Sequence, residues 1–590
     1  MMLAHRSFIE LSARERARAI LDEGTFREIL GPFDRFESPW LEPQGIVPAS
    51  DDGVIVARGK IAGESAVVLA IEGAFQGGST GEVSGAKIAG SLELALKDCQ
   101  KATPTRPVLL LETGGVRLQE ANLGLAAIAE IQTAIVALRR FVPVVGVIAG
   151  PVGCFGGMAI SAGLCSDLIM TREARLALNG PEVIEQEAGP DEFDAADRPL
   201  IWSTTGGEQR YAVGQADYLV EDDTEKIVAA IREVFQRGLP PKHRSTQIDE
   251  YLNLLREVDP ASIWEAKSVR ELFQAHQLKP DLSNDPSNDP VQRSLGEVGS
   301  LGEVGSLGEV GQPETENRKP ETENRQPTMS RGLTWFEAFA GVRPPQEGSS
   351  SVLVADRTLG DHSVRYLAVV PNPGARFPRA RNGEVGLEEA WMLAKYVRQA
   401  LDSNGRKRAI IAIVDVPSQA YGRREELLGI HLACAAAAGA YATAWLSGHP
   451  VVTLIVGRAF SGGVLAHGYQ SGAILALDAP GVTVHAMGKA AASRVTRRTV
   501  KELDELGQKI VPMAYDIRTY AKLGIVQKLI SGVDADNPSE ADIERVQQEL
   551  IAAIAAQTER DLSRRFGPTS VLRSASAKVR ERLAAAWHAP

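Results

Sequence analysis

The chain has 590 residues, 44% of them apolar and 24% charged, which suits a soluble globular protein of two or more domains and excludes a disulfide miniprotein or a wholly disordered chain. Its 64 Lys and Arg stand against 75 Asp and Glu, a net charge of −11 and the wrong sign for wrapping nucleic acid or coating an anionic membrane. The four cysteines, Cys99, Cys154, Cys165 and Cys434, form no CxxC pair and have no histidines at zinc-ligand spacing, so the expectation is a reducing, cytoplasmic setting with no zinc or other metal site.

The first twenty residues carry charges every few positions and have no apolar stretch of signal-peptide type. A strand beginning at Val108 runs into Gly114-Gly115, the segment Val116 to Glu120 and an alanine-rich helix. Next comes a charge-free run from Phe141 to Ser166, broken by Pro143, Pro151 and several glycines. It reads as buried strand, Gly156-Gly157 turn and buried helix rather than a membrane span. Further strands are expected at 166–170 and 175–179. From about 281 to 330 the composition changes to SNDPSNDP, three copies of SLGEVG and PETENRKPETENRQP. These units are too short and too polar to bury a core, so a disordered linker is expected, with a span of about 40 Å as a flexible coil. Met329 and SRGLTWFEAFAG then read like the start of a second polypeptide, which points to two ancestral chains fused end to end.

The second half repeats the first. A strand at Ala409 leads through a glycine loop to a helix near Glu425, and the charge-free run Leu427 to Gly457 reads as another buried helix and strand. Pro143-VVGVIAG-PVGCFGG aligns with Pro450-VVTLIVG-RAFSGG with one residue of slack, and the match is gapless from Gly157 and Gly463 onward. Two similar α/β lobes follow, with domains expected at 1–280 and 331–590.

Gly114-Gly115, Gly156-Gly157 and Gly462-Gly463 all lie where a strand hands over to a helix. A helix start leaves N–H groups unpaired and carries the positive end of the macrodipole, which suits an oxygen gaining charge. Tight turns and close packing are the plainer reading of any one pair. No Gly-x-Ser-x-Gly elbow, phosphate loop or HExxH helix occurs. His467 and His485 are candidate proton donors or structural groups. Arg117 and Glu120 suit a carboxylate clamp or an i, i+3 ion pair, and Arg494, Arg497 and Arg498 suit an anionic tail or a solvated helix face.

These segments resemble the carboxyltransferase branch of the crotonase-like superfamily. In the first half the resemblance is carried by residues 14–26, 77–88 (GGSTGEVSGAKI) and 113–120 (TGGVRLQE), and in the second by 420–426 (AYGRREE) and 457–463 (GRAFSGG). Residues 330–337 and 371–387 look most like the gamma subunits of biotin-independent malonate decarboxylases, and the first half resembles their beta subunits. The resemblance implies an α/β fold of two crotonase-like domains. It implies decarboxylation of a malonyl thioester borne on the phosphopantetheine-type, CoA-derived arm of a separate acyl carrier protein, with a transferase (alpha) subunit as further partner and neither biotin nor zinc. By resemblance the thioester oxyanion hole maps to Gly114 and Gly115 and a second hole to Gly463 and Val464, with Gly156, Gly157, Gly462 and Arg117 at the substrate. Two alternatives stay open: a biotin-dependent acyl-CoA carboxyltransferase, and a non-catalytic scaffold subunit.

Overall fold

The computed structural model describes residues 6–276, 278, 330–341, 351–401, 407–565 and 570–589. The expected disordered linker falls almost wholly outside them. The first half builds one sheet from β1 (Arg27–Ile29), β2 (Val54–Ile61), β3 (Glu64–Ile71), β4 (Arg106–Leu110), β5 (Val145–Ile148), β6 (Asp167–Thr171) and β7 (Tyr218–Val220), in that spatial order. The β1–β2–β3 pairs are antiparallel, and β3 through β7 are parallel. Parallel strands need crossovers, and helices α1 (Glu82–Gln100), α2 (Ala121–Leu138) and α3 (Gly157–Leu164) supply the three from β3 to β6. Alternation along β3 splits its side chains: Val67, Leu69 and Ile71 join the large core with α1 and α2, while Ala66, Val68 and Ala70 face the layer of helices Ala13–Ile20 and Thr224–Arg237. The apolar stretch Leu118–Leu138 is long enough to cross a membrane by composition, but all of α2 within it is buried in this core.

The second half repeats the plan with β8 (Val352–Leu359), β9 (His362–Val369), β10 (Ala409–Val416), β11 (Val451–Phe460), β12 (Ala473–Leu477), β13 (Thr483–His485) and β14 (Lys528–Ile530). The order is β14-β12-β11-β10-β9-β8, and β13 pairs with the far end of β11. Its helices include α4 (Leu387–Leu401), α5 (Ile430–Leu446), α6 (Ser461–Ala466), α7 (Lys489–Thr496) and α8 (Ser574–Ala586). The expected strand at 175–179 differs from its counterpart β13: residues 175 and 176 make only isolated bridges to Gly206 and Cys154. Around it, backbone groups bond to loops and a side chain, Leu178 O receiving Gly156 N–H and Asn179 N–H going to Glu426.

The halves share one core. Alanine-rich α5 lies against α2 and α3, and glycine permits the approach: a Cβ on Gly163 would stand 2.9 Å from the Ala435 Cβ, and one on Gly439 3.0 Å from Leu164 Cδ2. Helix α8 of the second half crosses to the first and packs along α1. Arg573 and Arg580 reach Glu130 at 2.9 and 2.8 Å. Although burial raises its pKa, Arg580 and Arg573 hold the Glu130 carboxyl down to about 2. Trp587, 1% exposed, donates to Asp98 at 2.9 Å and lies beneath the Arg58 guanidinium. Trp587→Ala should therefore cost about 3–5 kcal/mol in urea unfolding, the usual range for a buried aromatic truncated to alanine.

One buried carboxyl makes stability pH-dependent. Glu389 on α4 is pushed up to about 7 by burial, and its Oε2 has no hydrogen-bond partner among the described residues. A carboxyl with a raised folded pKa stabilises fully below its unfolded pKa, and that contribution is lost as pH rises through about 7. Glu389→Gln should raise the melting temperature relative to the parent at pH 8 and lose this advantage at pH 5.

Candidate active site

A cavity of about 1010 Å³ lies between the halves, walled by loops at the carboxyl ends of β4, β5, β10 and β11. Gly114, Val116, Gly156 and Gly157 face it from the first half, and Gln419, Tyr421, Ser461 and Gly462 from the second. Leu118, Leu125, Leu178, Val183, Leu465 and Met487 make much of the wall apolar. Arg494, Arg497 and Arg498, at the end of α7, line the same cavity.

The backbone around this space is built twice to one pattern. In the first half Thr80 and Val116 form an isolated parallel bridge, made by Thr80 N–H to Gly115 O at 2.8 Å and Arg117 N–H to Thr80 O at 2.9 Å. The flanking residues make those bonds, so the N–H of Val116 points to the other side, toward Gly156; a Cβ on Gly156 would lie 3.9 Å from it. In the second half Val385 and Gln419 form the equivalent bridge, made by Val385 N–H to Ser418 O at 3.0 Å and Ala420 N–H to Val385 O at 3.0 Å. The N–H of Gln419 then faces Gly463, whose added Cβ would lie 3.2 Å from it. Gly157 opens α3 and Gly463 lies in the first turn of α6, where N–H groups have no i−4 acceptor. Each half therefore offers one bridge amide beside one helix-start amide.

The residues expected at the site divide accordingly. Gly156, Gly157 and Gly462 line the cavity, with Gly156 N–H donating to Leu178 O at 3.1 Å and Gly462 N–H to Gln419 Oε1 at 2.8 Å. Gly114 also lines it, but its N–H donates to Gly77 O at 2.8 Å; Gly115 lies behind, its N–H bonded to Thr113 Oγ1 at 3.0 Å. Both amides are thus engaged within the loop. Gly463 and Val464 sit buried just behind Gly462. Arg117 is the ion pair rather than the clamp. It is 1% exposed, with Nη1 at 2.6 Å from Asp52 and 2.8 Å from Glu120, so its charge is matched by two buried carboxylates away from the cleft.

His467 is buried with Nε2 on Ile413 O and Nδ1 near Tyr441 Oη, and burial lowers it to about 4. His485 stacks on Tyr515 and burial lowers it to about 3, so both rings are neutral structural groups.

Several cleft residues escaped the sequence reading. Ser461 has φ +57°, a left-handed conformation that costs a non-glycine residue about 1–3 kcal/mol and clusters at functional sites. Tyr421, facing the same space, is pushed up to about 12 by burial and keeps its phenolic proton at neutral pH. A cross-half relay fixes the second amide pair: Gln419 Nε2 donates to Asn179 Oδ1 at 2.7 Å, and Glu426 accepts from the Asn179 N–H at 2.7 Å and from its Nδ2 at 3.0 Å. Behind it Arg210 Nη2 lies 3.3 Å from Glu426, both side chains fully buried; burial pushes Glu426 up to about 7 against the pull of Arg210. Among the described residues no group of three or more His, Cys, Asp and Glu is placed to hold a metal ion.

Comparison with known proteins assigns the halves separately. A carboxyl transferase domain matches residues 7–277, and a malonate decarboxylase gamma subunit matches 380–587. The malonyl-S-ACP:biotin-protein carboxyltransferase MADC of Malonomonas rubra is 44% identical over 247 residues, covering 40% of this chain and 78% of that protein. Its companion MADD, of the same name and organism, is 34% identical over 195 residues, 32% of this chain and 67% of that protein. A chain of a Pseudomonas malonate decarboxylase hetero-tetramer, solved in complex with malonate, is 63% identical with a TM-score of 0.46, covering 46% of this chain and 98% of that one.

Proposed function

Because the chain belongs to the carboxyl transferase family in its malonate decarboxylase form, with beta-like and gamma-like halves in one polypeptide, we propose that it converts malonyl-S-acyl carrier protein to acetyl-S-acyl carrier protein and carbon dioxide. The observation that carries this reading is the duplicated pairing of a bridge amide with a helix-start amide: Val116, Gly157 and Gln419 line one largely apolar cleft, and Gly463 lies directly behind it. Breaking the malonyl Cα–carboxyl bond releases carbon dioxide and sends the bonding pair toward the thioester carbonyl, so an enolate oxygen gains charge in the transition state. Two fixed N–H donors stabilise that oxygen without a nucleophile, and the apolar wall keeps water from competing. Val116 and Gly157 are the amides we assign to the thioester oxygen, and Gln419 and Gly463 those we assign to the malonyl carboxylate before it leaves. Gly114 and Gly115 then shape the loop that aims Val116.

The enolate carbon must finally gain a proton, and Tyr421 is the protonated phenol facing the cleft. Tyr421→Phe should lower turnover about 10²-fold, the smaller end of general-acid effects, with little change in KM. The arginines at 494, 497 and 498 suit the phosphate of a pantetheine-type arm or an acidic carrier surface. The partners in this reading are an acyl carrier protein and a transferase subunit, in the cytoplasm. We keep with it the division into domains at 1–280 and 331–590 with a tether at 281–330.

The names of the two Malonomonas proteins favour a second reading, transfer of the malonyl carboxyl to a biotin protein. Supplying carboxyl-labelled malonyl carrier protein with and without a biotinylated acceptor separates them. The proposal expects label only in carbon dioxide and no acceleration by the acceptor. Label on biotin, or turnover that depends on it, would favour transfer.

A further inference from the structure

A second cavity, of about 310 Å³, lies at the opposite, amino-terminal ends of the first sheet's strands, beside Ser166 where β6 begins. It too is walled by both halves: Arg139 and Arg140 follow α2, Arg398 comes from α4, and Thr443 and Ser447 from the end of α5. No Asp or Glu lines it among the described residues. The nearby Asp217 is paired with Arg244.

The Arg139 guanidinium is oriented without a counter-charge. Nη1 donates to Leu164 O at 3.1 Å and to Ser245 Oγ at 3.3 Å and lies against the His243 ring, while Nε and Nη2 make no hydrogen bond among the described residues. His243 accepts the Ser245 N–H at Nδ1, at 3.1 Å, so its Nε2 carries the proton donated to Cys165 O at 2.8 Å and the ring is neutral. Burial, together with the positive charges of Arg398 and Arg244, lowers Arg139 to about 9. Arg140 beside it forms no ion pair or hydrogen bond among the described residues. Guanidinium forks match phosphate oxygens in shape and are less strongly hydrated than ammonium groups.

We propose that this cavity between the halves, lined by Arg139, Arg140 and Arg398, binds a phosphate group, either free or on a small phosphomonoester. The volume is at the lower end of small-molecule pockets. Its walls come from both halves, so an occupant would join them at the end remote from the candidate active site and stabilise the folded chain as ligand is added.

The test is calorimetric titration and thermal unfolding of the whole chain with inorganic phosphate, pyrophosphate and glycerol phosphate, at constant ionic strength against chloride. The expected result is saturable binding of at least one of these, with a component that is weakened at least tenfold by Arg140→Gln and that persists in Arg498→Gln. Preference for inorganic phosphate or pyrophosphate over glycerol phosphate would assign the site to a free anion, and the reverse to an ester. Absence of saturable binding beyond the chloride control, or binding indifferent to Arg140→Gln, would overturn the proposal. Binding abolished by Arg498→Gln would overturn it too, by locating the anion in the large cleft.

Discussion

Gly156→Ala and Gly463→Ala should each lower single-turnover decarboxylation about 10²- to 10³-fold, the loss expected when one oxyanion donor is displaced. Gly156 has φ +60° and ψ −145°, a region essentially closed to side chains, and its Cβ would stand 3.2 Å from Gly115 Cα and 3.9 Å from Val116 N. The methyl group enters between the two amides of the first pair. At Gly463 the Cβ would come within 2.5 Å of Ser418 O and 3.2 Å of Gln419 N. Those contacts are backbone, so α6 or the 418–419 loop must shift, and each carries one donor of the second pair. Gly157→Ala should be milder, because the nearest atoms its Cβ meets belong to side chains rather than backbone, Leu465 Cδ1 at 2.8 Å and Ile128 Cγ2 at 3.0 Å. Single turnover of saturating malonyl carrier protein, after a check that each variant unfolds cooperatively, measures the order. Loss of affinity for the carrier with an intact chemical step would contradict it.

Glu426→Ala should destabilise the chain by about 3–5 kcal/mol in urea unfolding, the usual effect of removing one member of a buried ion pair. Arg210 would keep its bonds to Leu176 O and Gln215 Oε1 yet lose its only ion-pair partner among the described residues, and the N–H groups of Leu178 and Asn179 would lose their acceptor. Arg210→Met combined with Glu426→Leu should recover much of the loss, because it removes both charges together. Turnover should fall as well in Glu426→Ala, since Asn179 would lose both of its bonds to the carboxylate and keep only the longer one to Ala420 O, 3.2 Å, to orient Gln419.

The duplicated lobes and the buried character of the runs at 141–166 and 427–457 were legible because they follow from periodicity and from repetition of one pattern. The glycine pairs correctly marked the strand-to-helix turns. They could not say which N–H groups remain free, because a backbone donor leaves no trace in side-chain identity: Gly114 and Gly115 give theirs to Gly77 O and Thr113 Oγ1, while Val116 and Gln419 are left to face Gly156 and Gly463. Spacing identified Arg117 with Glu120 but not Asp52, 65 positions away, whose carboxylate helps enclose the guanidinium. The Gln419–Asn179–Glu426 relay and the crossing of α8 onto α1 join residues hundreds of positions apart, which no local pattern encodes.

The most direct test of the oxyanion account mixes the purified chain with malonyl-S-acyl carrier protein, without biotin, biotinylated protein or ATP, and follows carbon dioxide and acetyl carrier protein together. The account predicts both products in equal amounts, with turnover collapsing in Gly156→Ala and Gly463→Ala. Absence of carbon dioxide release under these conditions, or near-normal turnover in both variants, would contradict it.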